Sequence, residues 1–255
     1  MRADTPVLNP DSTPLGRLTE AIERVQGGPT GQDTERHRLG TGWDAADEAS
    51  GGLRLGAVHE WLVESPQGQP DAAPLGIFAH LAAQHLASDN PSLVLWIGQA
   101  CHPYPRSLPP VVLACSVFVT ATTRTERVWA TDTALRSRGA GVVIADASGF
   151  DMSASRRLQL AAGLSGGLGL LARPWSERGE ISAAWTRWRV SPAMSDSDSP
   201  RWAIELLRCK RMQPTGEGTR RWCVQRDDET GDVGVVSQFG DRRVAPPRPA
   251  TLATA

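Results

Sequence analysis

Apolar positions are arranged in two ways along this chain. Between residues 57 and 172, short apolar runs alternate with helical patterns; beyond Arg173, single apolar and polar positions alternate. The runs Ala57–Val63, Ser92–Gly98 and Gly141–Ala145 are near-continuous, as in strands buried on both faces of a parallel sheet. Between them, Pro74–Ala87 predicts a helix apolar on most sides, with Leu75, Ile77, Phe78, Leu81, Ala82 and Leu86. Thr125–Arg138 predicts a second helix with Val128, Trp129 and Leu135 inward and Gly139 as its stop. Ser116–Ala121 and Leu168–Ala172 predict further strands, Asp151–Ala162 a capped helix, and Cys101–Pro110 an extended Pro-rich loop. This alternation gives an α/β fold whose mainly parallel sheet is flanked by helices and joined by right-handed connections.

The later alternation predicts antiparallel strands. Ser182–Val190 sets Trp185, Arg187 and Arg189 on one side against Ala184, Thr186, Trp188 and Val190 on the other. Arg201–Met212 is a long strand, and Trp222–Arg226 pairs with Val233–Ser237 through the turn at 227–232. At the other end, Thr13 and Pro14 open a helix with Leu15, Leu18, Ile22 and Val25 on one stripe, stopped at Gly27-Gly28-Pro29. The organisation expected is residues 1–40 as an N-terminal helix on a flexible linker, 41–240 as the core domain with its C-terminal strands, and 241–255 as an Arg/Pro-rich disordered tail.

The stretch from Gly51 to Leu86 reads as strand, loop, helix, the layout of a phosphate-binding loop, without that loop's chemistry. Aligned without gaps, the first glycine of a G-x-x-x-x-G-K-[ST] motif falls on Val63, and the Gly-Lys-Ser/Thr on Gly68-Gln69-Pro70. Gln69 has no charge for a phosphate, and Pro70 has neither an N–H nor a hydroxyl for Mg²⁺. Of 27 basic residues the sole lysine is Lys210, so no shifted alignment restores the motif. Asp146 directly follows the clearest buried strand, where a Walker B carboxylate would stand; without the lysine and hydroxyl it reads as a structural or relic acid.

Composition adds limits. With a formal net charge of −1, any nucleic-acid contact must come from a local patch. The four cysteines form no C-x-x-C pair and no zinc spacing with histidine, so neither metal nor disulfide is expected. With no apolar leader or long apolar run, the expected localisation is cytoplasmic. Arg208, Lys210 and Arg211, with Arg220 and Arg221 after a turn, concentrate positive charge, and Trp185 with Arg187 and Arg189 adds an aromatic among cations. Charge with stacking suits single-stranded nucleic acid or a protein partner; a solvated strand face over a core tryptophan is the bland alternative.

Thr41-Gly42-Trp43-Asp44, Asp47, Gly51-Gly52-Leu53, Gly56 and Glu60 resemble the entry to a RecA-like ATPase core, where the end of the next strand presents a water-activating glutamate; here Gln99 and Ala100 stand there. Ser153-Ala154-Ser155-Arg156-Arg157-Leu158-Gln159-Leu160-Ala161-Ala162 is similar to a motif of the ImuA family, a bacterial branch of RecA-like proteins. Trp96 with Tyr104-Pro105, Ala184–Val190, and Arg201-Trp202 leading to Glu205–Arg208 support the likeness, which spans roughly residues 41–236. The resemblance implies a non-catalytic adaptor, without cofactor, in SOS-induced error-prone translesion synthesis. Its partners would be an ImuB-like Y-family polymerase homologue and an error-prone replicative-type polymerase, with RecA or single-stranded DNA as further candidates, and it would join the nucleoid when DNA is damaged. It also implies that the stripe of Leu15, Leu18, Ile22 and Val25 is a partner helix, and that Arg208–Arg211 lies where RecA-like proteins place subunit-interface lysines. Two alternatives stand beside it: a RecA-like DNA-dependent ATPase, and a SulA-like inhibitor of cell division.

Overall fold

The computed structural model describes residues 37–65, 73–88, 92–195, 197–210, 220–227 and 229–238. Leu15, Leu18, Ile22, Val25, Gly68, Gln69, Pro70, Arg211 and the tail from 241 lie outside the described residues.

The described chain begins with β1 (Arg38–Leu39), α1 (Asp44–Ser50), β2 (Leu53–Arg54) and β3 (Ala57–Val63), followed by α2 (Leu75–Leu86) and β4 (Leu93–Ile97). Next come α3 (Pro110–Ala114), β5 (Ser116–Val119), α4 (Arg124–Arg136), β6 (Ala140–Asp146), α5 (Met152–Ser165) and β7 (Leu168–Pro174). The last strands are β8 (Thr186–Pro192), β9 (Arg201–Cys209), β10 (Arg221–Arg226) and β11 (Val233–Gln238). β1 and β2 pair antiparallel by themselves; the other nine strands form one sheet in the order β11-β10-β9-β8-β3-β7-β6-β4-β5. From β5 to β8 neighbours run parallel, and β8 to β11 pair antiparallel, the α/β architecture expected.

Both faces of the sheet carry a core. On one, α2 lays Ile77, Phe78 and Leu81 against Trp61, Trp96, Ile144, Trp188 and Trp222. Trp61 stacks on Trp188 at 5.3 Å between ring centroids and meets Phe78 edge-on. On the other, α4 and α5 cover Val58, Ile97, Val143, Ala145 and Leu171. Large aromatics on one side and small side chains on the other let one sheet pack a wide and a close layer.

The segment that resembles a RecA-like entry is a clasp. Thr41 donates its backbone N–H and its hydroxyl to the Asp47 carboxylate, both at 2.9 Å. The Trp43 indole N–H donates to the Val233 carbonyl at 2.6 Å and its ring stacks on His80, so the N-terminal entry is tied to β11.

Some details differ from expectation, among them β8, which starts at Thr186 and not at Ser182. The stretch Cys101–Pro110, expected extended, holds a turn of 3₁₀ helix at Pro105–Ser107, and its last prolines, Pro109-Pro110, open the short helix α3, because proline suits a first helical turn as well as a loop. α4 ends at Arg136, capped by Ser137, three residues before Gly139. Trp129, expected inward, is 64% exposed: α4 buries Ala130, Thr131, Ala134 and Leu135, whose smaller side chains let the helix approach the sheet.

Candidate functional site at the strand ends and the cationic pole

Parallel strands present their carboxyl ends along one edge of the sheet, and ligands of open α/β folds bind in the crevice where connections diverge. Here β4 leads outward to β5 while β6 leads to β7 on its other side, so the crevice lies between Ile97 and Asp146. A cleft lined by Val63, Ala73, Ala100, Asp146, Ser148, Ala172, Arg173 and Pro174 opens beside it. Val63 is buried at the end of β3, in register with Pro174 and Val190, and Gln99 and Ala100 are exposed in a turn of 3₁₀ helix.

Asp146 is engaged on both oxygens. Oδ1 accepts the Ser148 N–H at 3.0 Å and the Ser148 hydroxyl at 2.5 Å; Oδ2 faces Arg127 Nε at 3.5 Å. Arg127 also donates to the carbonyls of Thr122, Asp146 and Ser148 at 2.9–3.0 Å, which fixes the start of α4 to the end of β6. Gly98 makes room for this: a Cβ there would sit 3.0 Å from both Arg127 Cδ and Asp146 Cβ, and its φ of +86° disfavours a side chain. Burial and the Asp146 charge push the nearby Cys101 thiol up, out of the range of a reactive thiolate. The arrangement is that of a strut.

Beneath the strand ends lies a charge cluster that the sequence reading had not assigned. Glu60, 1% exposed in mid-β3, accepts from Arg173 Nη1 at 3.1 Å and the Ser182 hydroxyl at 2.6 Å through Oε1, and from Arg187 Nε at 2.9 Å through Oε2. Arg173, equally buried, donates to Glu177 and to the Phe150 carbonyl. Burial works against its charge, but Glu60 and Glu177 raise its pKa overall. A lone glutamate inside an apolar strand was the available signal, since a buried carboxylate needs cations.

The cationic residues singled out from sequence divide by environment. Arg187, besides Glu60, reaches the Arg178 carbonyl at 3.2 Å. Arg189 pairs with Glu64 at 2.6 Å and Glu205 at 3.3 Å and lies over the Trp175 ring. Arg208 donates to the Ser182 and Ala184 carbonyls; burial, then the nearby Arg187, lowers its pKa. Trp185, 7% exposed, carries Arg54 over its ring at 4.2 Å and Lys210 at 6.0 Å. Lys210 is exposed at the end of β9, its pKa lowered by burial of its stem and by Arg208 and Arg54. Arg220 is half-buried and Arg221 exposed at the start of β10. The fold thus brings Trp185 and Lys210 together, and puts Arg187, Arg189 and Arg208 to work between strands.

Among the described residues no helix is long and apolar enough to cross a membrane, and no group of three or more His, Cys, Asp or Glu could hold a metal. No protein-family model matches the chain. It is 30% identical over 217 residues to Protein ImuA of Caulobacter vibrioides, in strain NA1000 / CB15N and in strain ATCC 19089 / CIP 103742 / CB 15. Each match covers 76% of this chain and 86% of the relative.

Proposed function

Since the chain belongs to the ImuA family, we propose that it is a non-catalytic adaptor of damage-induced mutagenesis, a RecA-like core retained as a scaffold after losing its nucleotide chemistry. The observation that carries this reading is Asp146. In a working nucleotide site that carboxylate holds water around Mg²⁺, and here its oxygens are taken by Arg127 and Ser148. The sequence agrees, with Gly68-Gln69-Pro70 where a phosphate loop needs lysine and a hydroxyl.

In this role the protein brings an ImuB-type polymerase homologue, and through it an error-prone replicative-type polymerase, to damaged DNA in the cytoplasm. Single-stranded DNA or RecA is a further contact of Trp185 and Lys210 at the end of β9, with the chain neighbours Arg211, Arg220 and Arg221 as further cations in sequence and the N-terminal stripe Leu15, Leu18, Ile22 and Val25 as a second partner element. Support for the pole is its composition, a cation over an aromatic ring beside further arginines. The test is co-purification of the intact chain with an ImuB-type partner, together with single-stranded DNA binding at two salt concentrations. Lys210→Ala with Arg211→Ala is expected to weaken one of these contacts and leave the fold intact. If both persist at wild-type strength, the pole is only a solvated face.

A further inference from the structure

Of nine tryptophans, eight are buried or half-buried and Trp129 alone is exposed. It does not stand in isolation. On α4, Trp129, Asp132 and Arg136 follow one another at i, i+3 and i+7 and so share a stripe; on α5, Arg157, Leu160 and Leu164 do the same. Arg157 Nη2 reaches Asp132 Oδ2 at 2.7 Å and Arg136 Nε reaches the same oxygen at 3.1 Å, which joins the two stripes into one seam. Burial alone would raise the Asp132 pKa, but the two guanidiniums hold it below the usual carboxylate range, so the seam stays charged.

The apolar members lie outward across this seam: Trp129 is 64% exposed, Leu160 51% and Leu164 71%. The charge around them is one-sided. Arg124 and Arg127 are paired with Asp151 and Asp146, but Arg136, Arg156 and Arg157 stand at the seam against Asp132 alone. The Arg136 and Arg157 side chains are about half exposed, with guanidinium donors left beyond those given to Asp132, and Arg156 is exposed beside Leu160. Aliphatic side chains between cations match a helix whose apolar stripe is edged by carboxylates. A nucleic-acid backbone would find Leu160 and Leu164 at the centre and a charge already shared with Asp132 at the rim.

We infer that the α4–α5 seam is a docking surface for an acidic amphipathic helix of a protein partner, with Trp129 as its anchor and Arg136, Arg156 and Arg157 meeting the partner's carboxylates. Exposed tryptophan and arginine are the side chains in which binding hot spots are enriched. This inference rests on the adaptor reading for its biological partner, and the surface itself can be tested separately.

The probes are a labelled synthetic helix of about 20 residues with a leucine stripe edged by glutamate, its lysine-edged analogue, a single-stranded oligonucleotide, and an ImuB-type partner. Each is titrated against the full chain and against the separate variants Trp129→Ala and Leu164→Ser, with circular dichroism melts to show that the exposed substitutions leave the fold unchanged. The acidic helix should bind the wild type and the lysine analogue should not, and each variant should weaken both the acidic helix and the partner about tenfold. No binding of the acidic helix by the wild type, equal binding of the two helices, a loss confined to the oligonucleotide, or variants that hold the partner as the wild type does would each overturn the seam. A wild type that takes the acidic helix but no ImuB-type partner would instead sink the adaptor reading and leave the surface standing.

Discussion

Replacing Glu60 by glutamine keeps the volume of the side chain and removes its charge, which isolates the electrostatic part of the buried cluster. In the native protein that carboxylate, 1% exposed, balances Arg173 and Arg187, whose side chains are 1% and 11% exposed. The variant leaves Arg173 with Glu177 alone, and Arg187 with a neutral amide oxygen and carbonyls. Removing one partner of a buried ion pair costs about 3–5 kcal/mol, mostly as the penalty of the stranded charge. The Ser182 hydrogen bond can survive on the amide, so the lower end, about 3 kcal/mol, applies. That corresponds to a fall in Tm of roughly 6–12 °C for a domain of this size and a urea midpoint lower by about 1 M. Glu64→Gln is the matched control: Glu64 and Arg189 are 33% and 29% exposed, and their pair should be worth about 1 kcal/mol or less. Urea melts of the three proteins, followed by tryptophan fluorescence, give the comparison. If Glu60→Gln costs no more than Glu64→Gln, the cluster does not tie β3, β7 and β8 together as described.

Three further outcomes are expected. Asp146→Asn should lower stability by about 1–2 kcal/mol, through the lost Arg127 pair, and leave ATP turnover at the buffer background; a fall in turnover would make Asp146 a metal ligand instead. His59, fully buried, donates from Nε2 to the Arg54 carbonyl and accepts the Thr186 hydroxyl at Nδ1, and burial lowers its pKa from 6.5 to about 4. The unfolded chain therefore takes up this proton first as pH falls, so its contribution is intact above about 6.5 and is lost between there and 4, by about 3 kcal/mol. Urea melts at pH 7.5 and 4.5 should show that loss, and His59→Gln should flatten it. Gly141→Ala would place a Cβ 2.0 Å from Ser92 Oγ and 2.5 Å from His85 Nε2, and should cost about 1–3 kcal/mol in the same melts.

What could be read in advance followed from burial. β3, β4 and β6 lie inside a sheet covered on both sides, so their sequences are nearly continuous apolar runs and the strands fall where those runs do. α4 misled for the opposite reason: apart from Leu135 its buried face is Ala130, Thr131, Asp132 and Ala134, and hydrophobicity alone points Trp129 the wrong way. The arginines on β8 look like a solvent face because acids that pair with them are distant in sequence; Glu60 is 127 residues from Arg187, and Glu64 is 125 from Arg189. Only the sheet order brings these together, and no local pattern encodes it. The charge of Glu60 within β3 was the one legible hint.

The central claim is that the core no longer handles nucleotide, and titration calorimetry of ATP with Mg²⁺ into the purified chain, with and without single-stranded DNA, tests it most directly. No binding heat is expected in either condition. Saturable binding, above all if it depended on DNA, would contradict it and make Gly68-Gln69-Pro70 a working loop.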